Sequence, residues 1–316
     1  MSTNGPSSSG QGGYNPAFRS NEVPSMRQVV RELLDILQLE PLEQNLFRGQ
    51  TRATGQRSIF GGLVAGQALM AASRTVPADR PVHSLHAYFL RPGDFNLPII
   101  YEVDRIRDGA SFTTRRVNAI QHGKAIFSLA ASFAVDEEGV EHQSAMPDVP
   151  MPADLENDEN IRKQVAANIP EPFRSAFLQE RPVEFRPVKP RNPFDITPQS
   201  PERMSWFRIP EPLDVDQATQ RVLLTFCSDF SLMGTAMLPH GMHFFQPQLQ
   251  AASIDHAMWF HKPIRADQWL LYCTDSPRAA GARGINRGLI YAEDGSLVAS
   301  VAQEGLMRLR PGEMQA

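Results

Sequence analysis

Two stretches of this chain repeat one another at a nearly fixed distance, and that repetition limits the folds open to it. Phe89-Leu90-Arg91-Pro92 returns as Phe260-His261-Lys262-Pro263, with the two prolines 171 positions apart. Gly109 and Gly281, Arg115 and Arg287, and Gly123 and Gly295 are each 172 apart. No single match is specific, but a constant offset across four predicted strands points to two copies of one unit rather than two unrelated meanders. In the first copy, a helix over 63–75 precedes strand-like stretches at 82–90, 98–106, 111–120 and 125–135. Asp108-Gly109 and Gln121-His122-Gly123 are turn sequences between them. In the second, 216–238 reads as helix, with Asp229 inside it or at a break, and strands follow at 251–261, 269–275, 281–291 and 297–309. A helix followed by a long antiparallel meander is an α+β pattern, not a βαβ one.

The rest of the chain is arranged around these copies. A helix is expected over 26–39, with Ser25 as its cap and Met26, Val29, Val30, Leu33, Leu34 and Leu37 on one face. Pro41 closes it, and 45–57 reads as a short strand and a loop. The 63–75 helix is unusually small-sided, and Gly61, Gly62 and Gly66 weaken rather than favour a helix. Close approach of neighbouring backbone, such as a curved sheet wrapping the helix, explains them better than propensity. Neither phosphate-loop spacing, GxGxxG or GxxxxGK[ST], is present. Of 26 prolines, 13 lie between Pro147 and Pro212, so the connection between the copies runs from 136 to roughly 214. It holds a helix at 160–168, and 182–188 is a candidate first strand of the second unit. The resulting division is a disordered tail at 1–24, an N-terminal unit at 25–136, a Pro-rich linker at 137–180 and a C-terminal unit at 181–310.

Composition excludes several function classes. The net charge of −4 offers no electrostatic argument for nucleic acid or an anionic membrane. Two cysteines, Cys227 and Cys273, make a disulfide framework or a cysteine-built zinc site improbable and fit a reducing cytoplasm. The first two dozen residues lack the basic start and apolar middle of a signal peptide, and no run of about 18 apolar residues predicts a membrane span. The C-terminal Met-Gln-Ala is not a peroxisomal Ser-Lys-Leu signal.

The offset also locates chemistry. Gln303 falls opposite Ala131, so one copy has an amide where the other has a methyl. Cys227-Ser228-Asp229-Phe230, set against Arg57-Ser58-Ile59-Phe60 at the helix entries, places a carboxylate in the second copy only. Asp229, Ser253 and Gln303 are side chains among which a water could sit: a carboxylate takes a proton while a hydroxyl and an amide fix direction. Each also has a plainer reading. Asp229 could cap a helix, Ser253 could be a small polar strand residue, and Gln303 is hardest to explain so, because a buried amide needs partners. Other constellations are weaker. There is no GxSxG and no HExxH. His240 with His243, and His256 with His261, read as hydrogen-bonded scaffold before metal ligands. Asp255 and His256 are neighbours on a predicted strand and so face opposite ways. His83 is a runner-up general base. Arg278, Arg283 and Arg287 read as a solvated edge that could also meet phosphates.

Taken together, these residues resemble the acyl-CoA thioesterase II family of double-hotdog thioesterases. The motifs are Phe47-Arg48-Gly49-Gln50, Phe60-Gly61-Gly62 with Gly66-Gln67-Ala68-Leu69, His83-Ser84-Leu85-His86, Ser228-Asp229-Phe230, Ile254-Asp255-His256 and Gln303-Glu304-Gly305. The resemblance spans 33–308. It implies two tandem hotdog domains, each an antiparallel sheet wrapped round a central helix. It also implies hydrolysis of fatty acyl-CoA to free acid and CoA by a water that Asp229, Ser253 and Gln303 activate, with no cofactor and no metal. Threonine is the residue it would put at 253; serine keeps the hydroxyl and loses a methyl that restricts the rotamer. A backbone N–H near a helix start is the natural oxyanion donor. The expected partners are the acyl-CoA substrate and further copies of the chain, a dimer or tetramer, since hotdog sheets tend to expose an apolar outer face. A catalytically silent acyl-CoA-binding protein and a hotdog enoyl-CoA hydratase or dehydratase are the alternatives; the Asp-x4-His spacing of the latter is missing.

Overall fold

The computed structural model describes residues 1–2, 26–51, 58–169, 171 and 173–310. The expected tail beyond its first two residues, the Ser25 cap and the loop through Arg57 lie outside the described residues.

Helix α1 (Gln28–Leu37) buries Val30, Leu33 and Leu37, part of the stripe read from the sequence. Strands β1 (Glu40–Glu43) and β2 (Leu46–Gly49) follow as a hairpin. Pro41 therefore does more than close α1: it lies in β1, opposite Phe47. Helix α2 (Gly61–Ser73) leads to β3 (Val82–Phe89), β4 (Ile99–Asp108), β5 (Phe112–Gln121) and β6 (Lys124–Ala134). The connection carries α3 (Asp158–Val165) and α4 (Phe173–Leu178), then β7 (Glu184–Pro187) and β8 (Glu202–Arg208). Helix α5 (Gln217–Ser228) precedes β9 (Leu249–Ser253), β10 (Asp255–Phe260), β11 (Leu270–Ala280), β12 (Arg283–Ala292) and β13 (Leu297–Leu309).

All thirteen strands belong to one sheet, in the order β1-β2-β4-β5-β6-β3-β10-β13-β12-β11-β8-β7, with β9 also on β13. The order reads the same from either end once each strand is exchanged for its repeat. The two halves meet where β3 and β10 pair antiparallel, Leu85 opposite Met258. Helices α2 and α5 fill the inside. Residues 62–72 of α2 and 219–228 of α5 are buried on every side; α2 has almost no polar residue to keep wet, whereas the polar row Gln220, Arg221, Thr225 and Ser228 of α5 is buried with hydrogen bonds to the Ala266 N–H and to the Val82, Arg221 and Thr225 carbonyls. Residues 217–240 are apolar and long enough to pass for a membrane span, but most of that stretch is core, and α5 itself ends at Ser228. The arrangement is the double hotdog that the resemblance implied.

The small residues of α2 serve close approaches on two sides: a Cβ on Gly61 would stand 2.9 Å from the Phe89 ring of β3, while Gly62 and Gly66 face α5. A Cβ on Gly62 would stand 2.5 Å from the Phe226 carbonyl oxygen, and one on Gly66 3.5 Å from that of Val222. Moving four residues along α2 thus moves four back along α5: the helices run antiparallel in near backbone contact.

Three readings need correction. First, 136–214 holds more than a connection and the candidate strand at 182–188, which is β7. Strand β8 also lies there and pairs with β11 along its length, with Trp206 buried and its indole N–H donating to the Pro150 carbonyl at 2.9 Å. Alternation was masked there because Trp206 is covered on the outer face by the connection itself. Second, the strand expected at 251–261 is broken at Ile254 into β9 and β10. Third, Asp229 and Ile59 are not counterparts. Ile59 precedes α2, whereas Asp229 follows the last residue of α5. The helices begin 156 positions apart, at Gly61 and Gln217, so Asp229 corresponds to Ser73.

Candidate active site

Helix α5 ends at a carboxylate. Asp229 is the C-terminal cap residue of α5 and is half-buried. Its side chain does not serve its own helix. Oδ2 accepts the Gly62 N–H of α2 at 2.8 Å. Phe60, the residue before α2, provides no side-chain cap, whereas α5 has its own, Asp216 accepting from the Thr219 N–H at 2.8 Å. The first turn of α2 is therefore capped from the other half of the molecule. Its unpaired N–H groups and dipole favour a negative charge at that spot. A Cβ on Gly61 would sit 2.8 Å from Asp229 Oδ2, and one on Gly62 would strike Phe226. The glycine pair is what lets the carboxylate in.

The other oxygen, Oδ1, accepts from the Gln303 amide nitrogen at 2.8 Å. That nitrogen also lies 3.2 Å from Ser253 Oγ and 3.2 Å from His256 Nδ1. Ser253 closes β9, His256 lies in β10 and Gln303 in β13. In a regular strand, residues 253 and 256 would face opposite sides. Here Ser253 is joined to Gly305 and Ala257 to Ala302, so one extra residue is accommodated at the break. This β-bulge aims both side chains at Gln303. The structure thus brings the three sequence-selected residues together. Asp229 and Ser253 are partly exposed, and Gln303 is buried behind them at 1% exposure.

Buried polar groups need partners, and most of these have them. His256, fully buried, places Nε2 2.9 Å from Ser228 Oγ. Ser228 in turn donates to the Thr225 carbonyl at 2.9 Å. The Tyr272 hydroxyl donates to the Ser228 carbonyl at 2.9 Å, and burial, with Asp229 adding to it, keeps that phenol protonated well above its usual range. Burial pushes the His256 imidazole below its ordinary value, and the charges of Asp229 and Asp255 pull it only partly back. The Gln303 carbonyl oxygen has no hydrogen-bond partner among the described residues.

His256, Ser228 and Gly62 stand in the motifs quoted above, but the sequence alone assigns them no place beside Asp229, Ser253 and Gln303. Alternation rightly separates His256 from Asp255, but an unbroken strand over 251–261 would also separate it from Ser253, and the break at Ile254 brings those two together. The 171 offset pairs His256 with Leu85, and that contrast of imidazole with leucine was the available signal. Strand alternation did hold for Asp255, which accepts the Glu304 N–H at 2.6 Å instead of joining the cluster. His83 lies elsewhere, 2.8 Å from Ser132 Oγ, and burial and then Arg221 hold it below the ordinary imidazole range. His261 contacts Ser300. Arg283 and Arg287 are paired with Glu304 and Asp275. Among the described residues, no group of three or more His, Cys, Asp or Glu is arranged to hold a metal.

Chemically, the cluster is a carboxylate fixed through both oxygens, beside a hydroxyl whose oxygen faces an N–H donor and whose own proton is free to direct a ligand. An aromatic series leads away from it. Phe60 and Phe230 lie 4.6 Å apart between ring centres, Phe230 and Phe185 5.4 Å, Phe185 and Phe207 6.1 Å. The last three line a small cavity with Tyr272.

Residues 172–306 match a family described as acyl-CoA thioesterase, and 50–134 match the acyl-CoA thioesterase N-terminal domain. Acyl-CoA thioesterase 2 of Haemophilus influenzae is 42% identical over 90% of this chain and 99% of its own. Human acyl-coenzyme A thioesterase 8 is 40% identical over 87% of this chain and 88% of its own. A crystal structure of an acyl-CoA thioesterase II from Mycobacterium marinum, 41% identical, superposes with a TM-score of 0.72 over 89% of this chain and 99% of that one.

Proposed function

The chain belongs to the acyl-CoA thioesterase family, and from that premise we propose that it hydrolyses fatty acyl-CoA by a water held at Asp229, Ser253 and Gln303. The single observation that carries this reading is the Gln303 amide nitrogen, 2.8 Å from a carboxylate and 3.2 Å from a hydroxyl contributed by two other elements.

In the proposed step, Asp229 accepts a proton from the water, whose oxygen attacks the thioester carbonyl carbon. The Ser253 hydroxyl directs the water and forms no bond to the acyl group. The carbonyl electrons move onto oxygen, and their return breaks the C–S bond. CoA leaves as thiolate and takes up a proton, so one water and one thioester give one acid and one thiol. The Gln303 amide keeps Asp229 aimed. The first turn of α2 supports an oxyanion there: Gly62 N–H is committed to Asp229, while Gly61 N–H has no acceptor among the described residues. The aromatic series beyond Phe60 suits an apolar acyl chain.

Asp229→Asn keeps the shape and removes the base. It should lower turnover about 10²–10⁴-fold, read as CoA release with a thiol reagent across several chain lengths. Undiminished release by a folded variant would remove Asp229 from the mechanism.

A further inference from the structure

We infer that His256 is a positioning residue for hydrolysis: as a neutral imidazole with its proton on Nε2, it fixes which way the Gln303 amide faces. The inference rests on the reading of Asp229, Ser253 and Gln303 as the hydrolytic group.

Donor and acceptor accounting assigns the tautomer. Ser228 has one hydroxyl proton, and the Thr225 carbonyl at 2.9 Å takes it; the Met258 sulfur at 3.1 Å is the weaker acceptor. The Ser228 oxygen then accepts from His256 Nε2–H at 2.9 Å. That leaves Nδ1 bare, so its 3.2 Å contact with Gln303 is an amide N–H donating to it. One Gln303 proton goes to Asp229 at 2.8 Å, and Nδ1 shares the other with Ser253 Oγ at 3.2 Å. Reversing the amide would set its carbonyl oxygen against the Asp229 carboxylate and the bare Nδ1, both acceptors. The chain from Thr225 through Ser228 and His256 thus admits one amide orientation.

The other half supplies an independent observation. At the offset of 171, His256 corresponds to Leu85 and Ser253 to Val82; at 172, Gln303 corresponds to Ala131; at the helix offset of 156, Ser228 corresponds to Ala72. All four counterparts are buried and apolar. Where the amide is missing, so are the imidazole and the hydroxyl that hold it, and Leu85 stands directly opposite Ala131. If His256 merely filled the core, it would have no reason to change together with Gln303.

The titratable groups around His256 are Asp229 at the end of α5, Tyr272 of β11 through Ser228 and, acting by charge from the other side of its own strand, Asp255. Burial outweighs the two acids, so the ring is neutral above its ordinary pKa of 6.5 and somewhat below it. Protonation at lower pH would turn Nδ1 into a donor facing the Gln303 N–H, and catalysis should fall as pH falls through the folded-state pKa. The folded state binds fewer protons than the unfolded one below pH 6.5, so stability also declines as pH drops through that window. Circular dichroism separates the two effects.

The experiment compares His256→Leu, which installs the residue of the other half, with His256→Asn, whose Oδ1 can accept in place of Nδ1. His256→Leu should lose about 10–100-fold in kcat with KM changed less than about twofold, the scale expected of a misplaced catalytic group. His256→Asn should recover a good part of that loss and show no acid limb from residue 256. If folded His256→Leu keeps full kcat, or if both variants lose kcat equally, the inference is wrong; should the leucine variant not fold, the kcat of the asparagine variant decides alone. Asp229→Asn run alongside separates the failures. Full activity there overturns the hydrolytic group, whereas loss there with activity in His256→Leu overturns only the role of His256.

Discussion

At the end of α5, Ser228, Ser253, His256 and Gln303 form a hydrogen-bonded cluster; at the matching end of α2 stand Ala72, Val82, Leu85 and Ala131, every one buried. The backbones there are alike. The pairing of β3 with β6 slips between Val82 and Ser84, just as β9 and β10 slip against β13 around Ile254. A bulge at this place is therefore part of the fold, not a mark of chemistry. The difference lies in side chains that rise or fall together. An unpaired buried polar group costs about 1–3 kcal/mol, so a half-built cluster is worse than none. One half completes it, and the other packs methyl groups into the same space.

The largest expected effect comes from making the C-terminal half resemble the N-terminal one. Gln303→Ala, the residue found at 131, should cost about 10²-fold in kcat, as misplacement of a catalytic group does, with Asp229 still present; a loss below threefold would mean that the contrast between the halves is not what separates them. The second test attacks what the halves share, the contact between helices. Gly62→Ala puts a Cβ 2.5 Å from the Phe226 carbonyl and disturbs the N–H that holds Asp229. It should lower stability by about 1–3 kcal/mol and turnover by at least severalfold, read by thermal unfolding and initial rates. The corresponding turn of α5 carries Gln217 and Ala218, so this constraint belongs to one helix start only. The smallest effect on catalysis should come from the reverse exchange. Ala131→Gln places an amide opposite Leu85 with no imidazole or carboxylate to receive it. Turnover should stay within about twofold while stability falls by about 1–3 kcal/mol; a gain in turnover would show that the amide alone carries the function.

Much of this was legible in the sequence, for definite reasons. The strands repeat at a constant spacing, so the doubled sheet could be read, and Gln303 stood out as an amide among apolar strand residues. The helices repeat at a spacing of 156, not 172, because the path from Ser228 to Leu249 is longer than that from Ser73 to Val82. That change of spacing hid the true counterpart of Asp229 and made a helix end look like a helix entry. The expectation that Asp229 might cap a helix was sound in kind, but the helix is α2, and no local pattern announces a cap that arrives from 167 residues away. Alternation concealed His256, since a single break at Ile254 reverses which side a residue faces. Strand β8 was lost among prolines, although its Trp206 is wholly buried.

The anchor of Asp229 is a backbone N–H on the opposite half, so the pocket straddles the join. Were the halves separate molecules, the pocket would exist only in proportion to how often they met. Held on one polypeptide, its assembly is first-order, and specific activity should not change on dilution for want of the other half. Cutting the chain in the connection would restore that dependence: each fragment would be idle by itself, and rate would rise with the product of their concentrations until they saturate.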